Sequence, residues 1–146
     1  MSEQAQPTCF TKVDVTAVPE SATRIRHELA DWLHGHMLLD SVKSSDVVLA
    51  VNEALANAAE FAYLSSPQPG VMHLHAEYDP GAAVLTVTVA DQGRWWMSES
   101  SSKDPARGRG IPLMYALSDR AIIDSTAAGT RVELQWDLRH AMTAQL

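Results

Sequence analysis

The spacing of the apolar residues constrains the fold of this chain more than any other feature of its sequence. From residue 19 to residue 63 they recur mostly at three- and four-residue steps, which predicts two amphipathic α-helices. Pro67, Pro69 and Gly70 then interrupt the chain, and beyond them apolar residues alternate with polar ones, as in strands with one buried face. We therefore expect helices from the first half of the chain to pack on strands that come mainly from the second half.

Eight elements are predicted in the order strand, helix, helix, strand, strand, helix, strand, strand. The first, an edge strand, contains Phe10 and Val15; one helix begins at Pro19, and a second follows Asp40, a favoured capping residue, and runs to about Tyr63. The later elements are predicted over residues 71–78, 84–90, 111–117, 121–124 and 131–138. Because strands and helices alternate too rarely for a doubly wound parallel sheet, we expect an α+β two-layer sandwich, with a mixed, mainly antiparallel sheet covered by helices on one face.

Length and composition favour one globular domain. The chain has 146 residues, of which 46% are hydrophobic, and domains typically contain about 100–200 residues. We expect a single domain over residues 1–146, with its core between about residues 15 and 138. The net charge is −7, from 18 acidic and 11 basic residues, and this balance argues against a protein that coats nucleic acid.

The cysteine content and the apolar runs favour a cytoplasmic protein. Cys9 is the sole cysteine and cannot form an internal disulfide, which favours a reducing compartment. Residues 1–8 lack the basic start and apolar stretch of a signal peptide. No apolar run reaches the ~18 residues that a membrane span needs. We therefore expect no direct contact with a membrane or with nucleic acid.

Two polar residues interrupt the apolar stretch of the second predicted helix. Glu53 and Asn57 are four residues apart, which places them one turn apart on the same helix face. Burial of an unpaired carboxylate is costly, so the pair is either an ordinary half-exposed surface pair or a functional one. Taken alone, the spacing favours the surface pair.

Three further short segments favour the functional interpretation when they are taken together. Asp-Gln-Gly at 91–93 follows a predicted strand, Arg-Gly-Arg-Gly at 107–110 directly precedes the predicted short helix, and Gly-Thr at 129–130 leads into the last strand. Flexible backbone N–H groups before a helix can bind phosphate. The glycines are not a dinucleotide fingerprint, because Leu113 occupies the place of the third glycine, and no Walker-type lysine is present.

In this order, residues 49–58, 91–93, 107–114 and 129–130 resemble the ATP-binding GHKL superfamily, and within it the anti-sigma-factor serine/threonine kinases with a histidine kinase-like ATPase domain. The resemblance covers roughly residues 15–138. It implies an Mg-ATP-dependent regulatory kinase that sequesters a sigma factor and phosphorylates an STAS-type anti-anti-sigma protein. It also implies a possible homodimer, because members of this family commonly dimerise.

The resemblance also implies roles for individual residues. Glu53 is the implied general base, and Asn57 is the implied ligand of Mg²⁺, to which its side-chain oxygen is suited. Asp91 would accept a hydrogen bond from the adenine amino group, and Gly93 would let the base approach the backbone closely. The remaining implied nucleotide-binding residues are Arg107, Gly108, Arg109, Gly110 and Thr130.

Two departures from the family pattern leave an alternative function open. Phe61 stands where family members often carry a histidine, and Trp95 stands where they usually carry the second glycine of Asp-x-Gly-x-Gly. A tryptophan adds bulk and removes backbone freedom beside the expected nucleotide. The alternative is therefore a catalytically weak or inactive regulator that has the same fold and binds nucleotide or partners.

Two other patterns concern ions. Residues 94–109 carry four basic and two acidic side chains, so that a locally basic loop lies where a triphosphate is expected in an otherwise acidic chain. His73 and His75 are two residues apart on a predicted strand and face the same side, as metal ligands do. No third ligand with an obvious spacing accompanies them, which makes the metal site the weakest of the hypotheses.

Overall fold

The computed structural model describes residues 6–60, 62–63, 66–93 and 110–140. Its helices and strands follow the predicted order. They are β1 (Thr8–Thr16), α1 (Pro19–His36), α2 (Ser41–Glu60), β2 (Val71–Asp79), β3 (Val84–Asp91), α3 (Gly110–Leu117), β4 (Arg120–Thr126) and β5 (Gly129–Asp137). No helix in these ranges is both long and apolar enough to span a bilayer.

The five strands form one sheet in the order β1-β2-β3-β5-β4. All four neighbouring pairs are antiparallel, so the described sheet is more regular than the mixed one expected. Strand β1 lies at an edge, as predicted, and β2–β3 and β4–β5 are the two predicted hairpins. In the first hairpin, the Asp79 carboxylate accepts a hydrogen bond from the Gly81 N–H at 3.0 Å, which stabilises the turn.

The helices cover one face of the sheet, and this confirms the two-layer α+β fold. Along β2, β3 and β5, side chains on one face are buried while their neighbours are partly or fully exposed, as the strand period requires. The apolar stripes of α1 and α2 are also buried. The core includes Ile25, Leu29, Leu33, Val47, Val51, Leu55, Leu74, Leu85, Val87, Leu134 and Trp136.

Helix α2 begins as predicted but ends three residues early. The Asp40 carboxylate accepts a hydrogen bond from the Lys43 N–H at 2.7 Å, which caps the first turn. The helix ends at Glu60 rather than at Tyr63. Beyond it, the Ala62 N–H donates to the Asn57 carbonyl at 3.1 Å. The chain therefore leaves the helix here and turns toward the sheet.

The turn between β4 and β5 sets where β5 meets β3. Gly129 has a φ of +142°, a backbone conformation that favours glycine. A Cβ at this position would overlap the carbonyl oxygen of Asp91 at the end of β3. The next residue, Thr130, pairs with Asp91 on one side and with Ser125 on the other. Glycine therefore lets the start of β5 approach the end of β3.

We expect Gly129→Ala to lower the free energy of unfolding by about 1–3 kcal/mol, because it adds backbone strain and an overlap with Asp91. Gly35 offers a matched control within α1, since an added Cβ there meets nothing within 4 Å. Gly35→Ala should leave the free energy of unfolding unchanged or raise it by about 0.5–1 kcal/mol. Urea unfolding followed by circular dichroism measures both, and equal changes in the two variants would contradict the role given to Gly129.

Candidate functional site

The fold brings several of the predicted site residues to the end of β3. Asp91 is the last residue of β3 and pairs with Thr130 of β5. Gly93 follows two residues later and lies against Ala62, just beyond the end of α2. Asn57 lies near that end of α2, and Glu53 lies one turn earlier on the same helix. Two strand ends and one helix end therefore form the candidate site.

Asn57 is a buried amide. Its residue is 4% exposed, and its Nδ2 atom has no hydrogen-bond partner among the described residues. A buried donor without a partner costs about 1–3 kcal/mol, which makes this amide a candidate for binding a ligand. Glu53 is only half-buried and needs no compensating partner. The pair therefore combines a buried donor with an accessible carboxylate.

Asp91 and Thr130 are buried at the same register position on neighbouring strands. The Asp91 carboxylate accepts a hydrogen bond from the Gly93 N–H at 2.8 Å, which holds the turn after β3. The Thr130 hydroxyl oxygen is buried and has no hydrogen-bond partner in the part of the chain that the structure describes. Like the Asn57 amide, this hydroxyl is available to a ligand.

Gly93 has a packing role that sequence reasoning missed. The family resemblance implies that this glycine lets a nucleotide base approach the backbone closely. In the structure, a Cβ at Gly93 would overlap the carbonyl group of Ala62. Glycine is therefore required for the turn after β3 to pack on the end of α2, whatever the site binds.

Tyr63 is a second feature of the site that the sequence motifs do not indicate. Its hydroxyl donates to the Val71 carbonyl at 2.6 Å and accepts from the Gln92 N–H at 2.9 Å. It thereby joins the segment after α2 to the start of β2 and to the turn that carries Asp91. Burial, together with the nearby Asp91 charge, raises the pKa of the Tyr63 phenol above its ordinary value. The sequence indicates this role only weakly, through the position of Tyr63 between a predicted helix and the break at Pro67, Pro69 and Gly70.

Of the remaining predicted residues, one lies within the described part of the chain and the others lie outside it. Gly110 is the first residue of α3, and α3 packs against α2. Arg107, Gly108 and Arg109 lie outside the described residues, as do Phe61 and Trp95. The structure therefore brings together the part of the predicted site that α2, β3 and β5 supply.

Residues 15–136 match the family model of the histidine kinase-like ATPase domain. The chain belongs to this family. The match spans most of the sequence and confirms the resemblance that the motifs indicated. Membership in an ATPase domain family implies nucleotide binding, and the buried Asn57 amide and Thr130 hydroxyl without partners among the described residues fit such a ligand.

The solved structures similar to this histidine kinase-like domain include the following two. One is the crystal structure of the RsbU and RsbW domains of Rv1364c from Mycobacterium tuberculosis, with a TM-score of 0.70 and 25% identity over 97% of this chain; the chain spans only 35% of that longer chain. The other is the histidine kinase domain of a blue-light activated kinase from Erythrobacter litoralis, with a TM-score of 0.55 and 21% identity over 87% of this chain and 64% of that one. The second likeness shows the fold alone.

We expect Tyr63→Phe to lower the free energy of unfolding by about 1–3 kcal/mol, because the Val71 carbonyl and the Gln92 N–H both lose a partner. The loss should also depend on pH. Because the folded-state pKa of Tyr63 is raised, the folded protein keeps a proton that the unfolded chain releases, so the wild type loses stability as the pH rises above about 10. Tyr63→Phe should lack that component.

Urea unfolding at pH 7 and between about pH 9 and 11 measures both effects. Tyr115→Phe is the matched control, since Tyr115 is 54% exposed on α3. This control should leave both the stability and its pH dependence unchanged. Faster amide hydrogen exchange at Gln92 in Tyr63→Phe alone would locate the effect at the turn. Unchanged stability of Tyr63→Phe would contradict the role of the hydroxyl.

Proposed function

We propose that this protein is an Mg-ATP-dependent serine/threonine kinase of the anti-sigma-factor type. In this proposal it sequesters a sigma factor and phosphorylates an STAS-type anti-anti-sigma protein, in the cytoplasm and as a homodimer. The observation that carries the proposal is the buried Asn57 amide, which has no partner for its Nδ2 atom among the described residues and lies one turn after Glu53. The family match and the likeness to a structure with an RsbW domain support it.

Asn57 and two residues at the strand ends are proposed to hold Mg-ATP. The Asn57 side-chain oxygen suits Mg²⁺, which prefers oxygen ligands, and its Nδ2 atom can donate to a phosphate oxygen. Asp91 is proposed to accept from the adenine amino group, with the Thr130 hydroxyl completing the adenine end of the site. Both side chains are already buried, so binding would order little more of the protein.

Phosphoryl transfer depends mainly on positioning and on neutralisation of charge. Bound Mg-ATP would supply the phosphoryl group. Glu53, half-buried on α2, is proposed to take the proton from the attacking serine hydroxyl. Arg107 and Arg109 are proposed to contact phosphates, with Gly108 and Gly110 shaping the backbone around them.

The second candidate function is a binding-only regulator with weak or absent phosphotransfer. Its basis is the sequence: Phe61 and Trp95 replace residues that the family usually carries. In this alternative, partner binding does not depend on Glu53. The effect of removing the Glu53 carboxylate on phosphate transfer therefore distinguishes the two functions.

Asn57→Ala should weaken Mg-ATP binding by about 10- to 100-fold, because hydrogen bonds to charged groups contribute about 1.5–3 kcal/mol. Without nucleotide the variant should lose little stability, since the deleted Nδ2 atom has no partner among the residues described. Calorimetric titration and thermal unfolding measure the two quantities. Asn52→Ala is the control, because Asn52 lies on the same helix and is only partly buried. Equal affinities for Mg-ATP in the two variants would remove Asn57 from the site.

Glu53→Gln should slow phosphate transfer to a serine of an STAS-type protein by about 10²- to 10⁴-fold, since it removes the general base. Mg-ATP affinity should stay near the wild-type value, and so should sigma-factor capture measured by gel filtration. Glu60→Gln, an exposed position at the end of α2, controls for loss of charge. Transfer as fast in Asn57→Ala as in the wild type at limiting Mg-ATP would remove Asn57 from the site, and absence of transfer in the wild type would refute the kinase. Absence of transfer together with intact partner capture would leave the binding-only regulator.

A further inference from the structure

A second cluster of chemically reactive side chains lies on the outer face of the sheet, opposite the helices. Cys9 on β1 and His75 and Glu77 on β2 are all exposed, and their ligand atoms lie within 4.8 Å of one another. The antiparallel pairing places Cys9 opposite Glu77 and Thr11 opposite His75. None of these residues belongs to the candidate nucleotide site, whose buried strand residues face the helices.

The separations within the cluster are close to those of a metal site. The Cys9 Sγ atom lies 3.9 Å from the Glu77 Oε1 atom, and the His75 Nε2 atom lies 3.6 Å from the same oxygen. In a tetrahedral zinc site, bonds of about 2.0–2.3 Å place neighbouring ligand atoms about 3.4–3.7 Å apart. The His75–Glu77 distance is too long for a good hydrogen bond. The Cys9 Sγ atom and the His75 ligand nitrogen lie within 4.8 Å of each other, so small movements of these exposed side chains would bring all three atoms into coordination.

Thr11 orients His75 for this purpose. The Thr11 hydroxyl oxygen lies 2.8 Å from the His75 Nδ1 atom. When Nδ1–H donates to this oxygen, Nε2 carries the lone pair and faces Glu77, which is the tautomer that a metal needs. Metal-binding histidines are usually held in this way through the other ring nitrogen. The imidazole is therefore oriented without a metal.

His73, the other histidine of the sequence hypothesis, is engaged elsewhere. Its Nδ1 atom accepts a hydrogen bond from the Asp14 N–H at 3.0 Å. Nε2 therefore carries the proton and does not act as a ligand. The third ligand that the sequence hypothesis lacked comes from β1, 66 residues before His75. Chain spacing could not reveal it.

We propose that Cys9, His75 and Glu77 form a binding site for a zinc-class divalent metal ion. Three protein ligands leave the fourth tetrahedral position to water. A thiolate and an imidazole select zinc-like ions over Mg²⁺, so the site is chemically distinct from the one proposed at Asn57. Binding requires the thiolate and the neutral imidazole, so the metal displaces the thiol proton.

Titration of the reduced, nucleotide-free full-length chain with Co²⁺ tests the proposal. We expect a thiolate-to-cobalt charge-transfer band in the near ultraviolet that saturates at one equivalent per chain. Cys9 is the only cysteine, so this band has a single source. Zn²⁺ should abolish the band and protect Cys9 from a thiol-modifying reagent. Saturation at half an equivalent with dimer formation would overturn the proposal, because two Cys9 thiolates would then share one ion.

Four variants test the ligand set. Cys9→Ser should abolish the band, and His75→Gln should abolish or severely weaken it. Thr11→Val should weaken Co²⁺ binding by about 10- to 100-fold, as is typical when the partner of a ligand is removed. His34→Gln, at an exposed position on α1, is the control and should bind as the wild type does. Cobalt binding without a charge-transfer band, or equal affinities in His75→Gln and the control, would refute the site.

Discussion

The candidate site depends on close backbone contact at the end of β3. On one side, Gly129 lies against the Asp91 carbonyl, and on the other, Gly93 lies against the Ala62 carbonyl. A side chain at either glycine would separate β3 from β5 or from the end of α2. Both contacts are with backbone carbonyl groups and not with the ends of flexible side chains. A Cβ at either glycine could therefore be accommodated only if the backbone itself moved. Two glycines therefore determine whether Asp91, Thr130 and α2 meet at all.

That tight backbone packing supports polar groups that do little for stability. The Asn57 amide and the Thr130 hydroxyl have buried atoms without partners in the described residues, and each such atom costs about 1–3 kcal/mol. Burial of apolar side chains in the core beneath them, such as the fully buried Leu55 and Leu134, offsets this loss of stability. Such a loss of stability is expected at a site whose polar groups are kept for a ligand and not for hydrogen bonds within the protein. A ligand that pairs with these atoms would stabilise the folded state in proportion to its binding.

Most of the fold could be predicted from the sequence because the two long helices and the three central strands each bury one face. The two-residue period of Val132, Leu134 and Trp136 and the helical period of α1 each identify a buried face without knowledge of its partner. The end of α2 could not be predicted in this way. Just beyond that end, the Tyr63 hydroxyl hydrogen-bonds to Val71 and Gln92, the latter 29 residues away. Periodicity contains no information about contacts of that kind.

The same limit applies to function, and it explains why the two proposed sites differ in how far the sequence indicated them. Glu53 and Asn57 share one helix face, so their spacing alone places them together. Cys9 and Glu77 are 68 residues apart and meet only because β1 pairs with β2 in one particular register. On β2 the buried residues face the helices and the exposed ones face outward. The sheet therefore separates the two sites, because Asp91 and Thr130 are buried on its helix-covered face and the exposed cluster lies on the other.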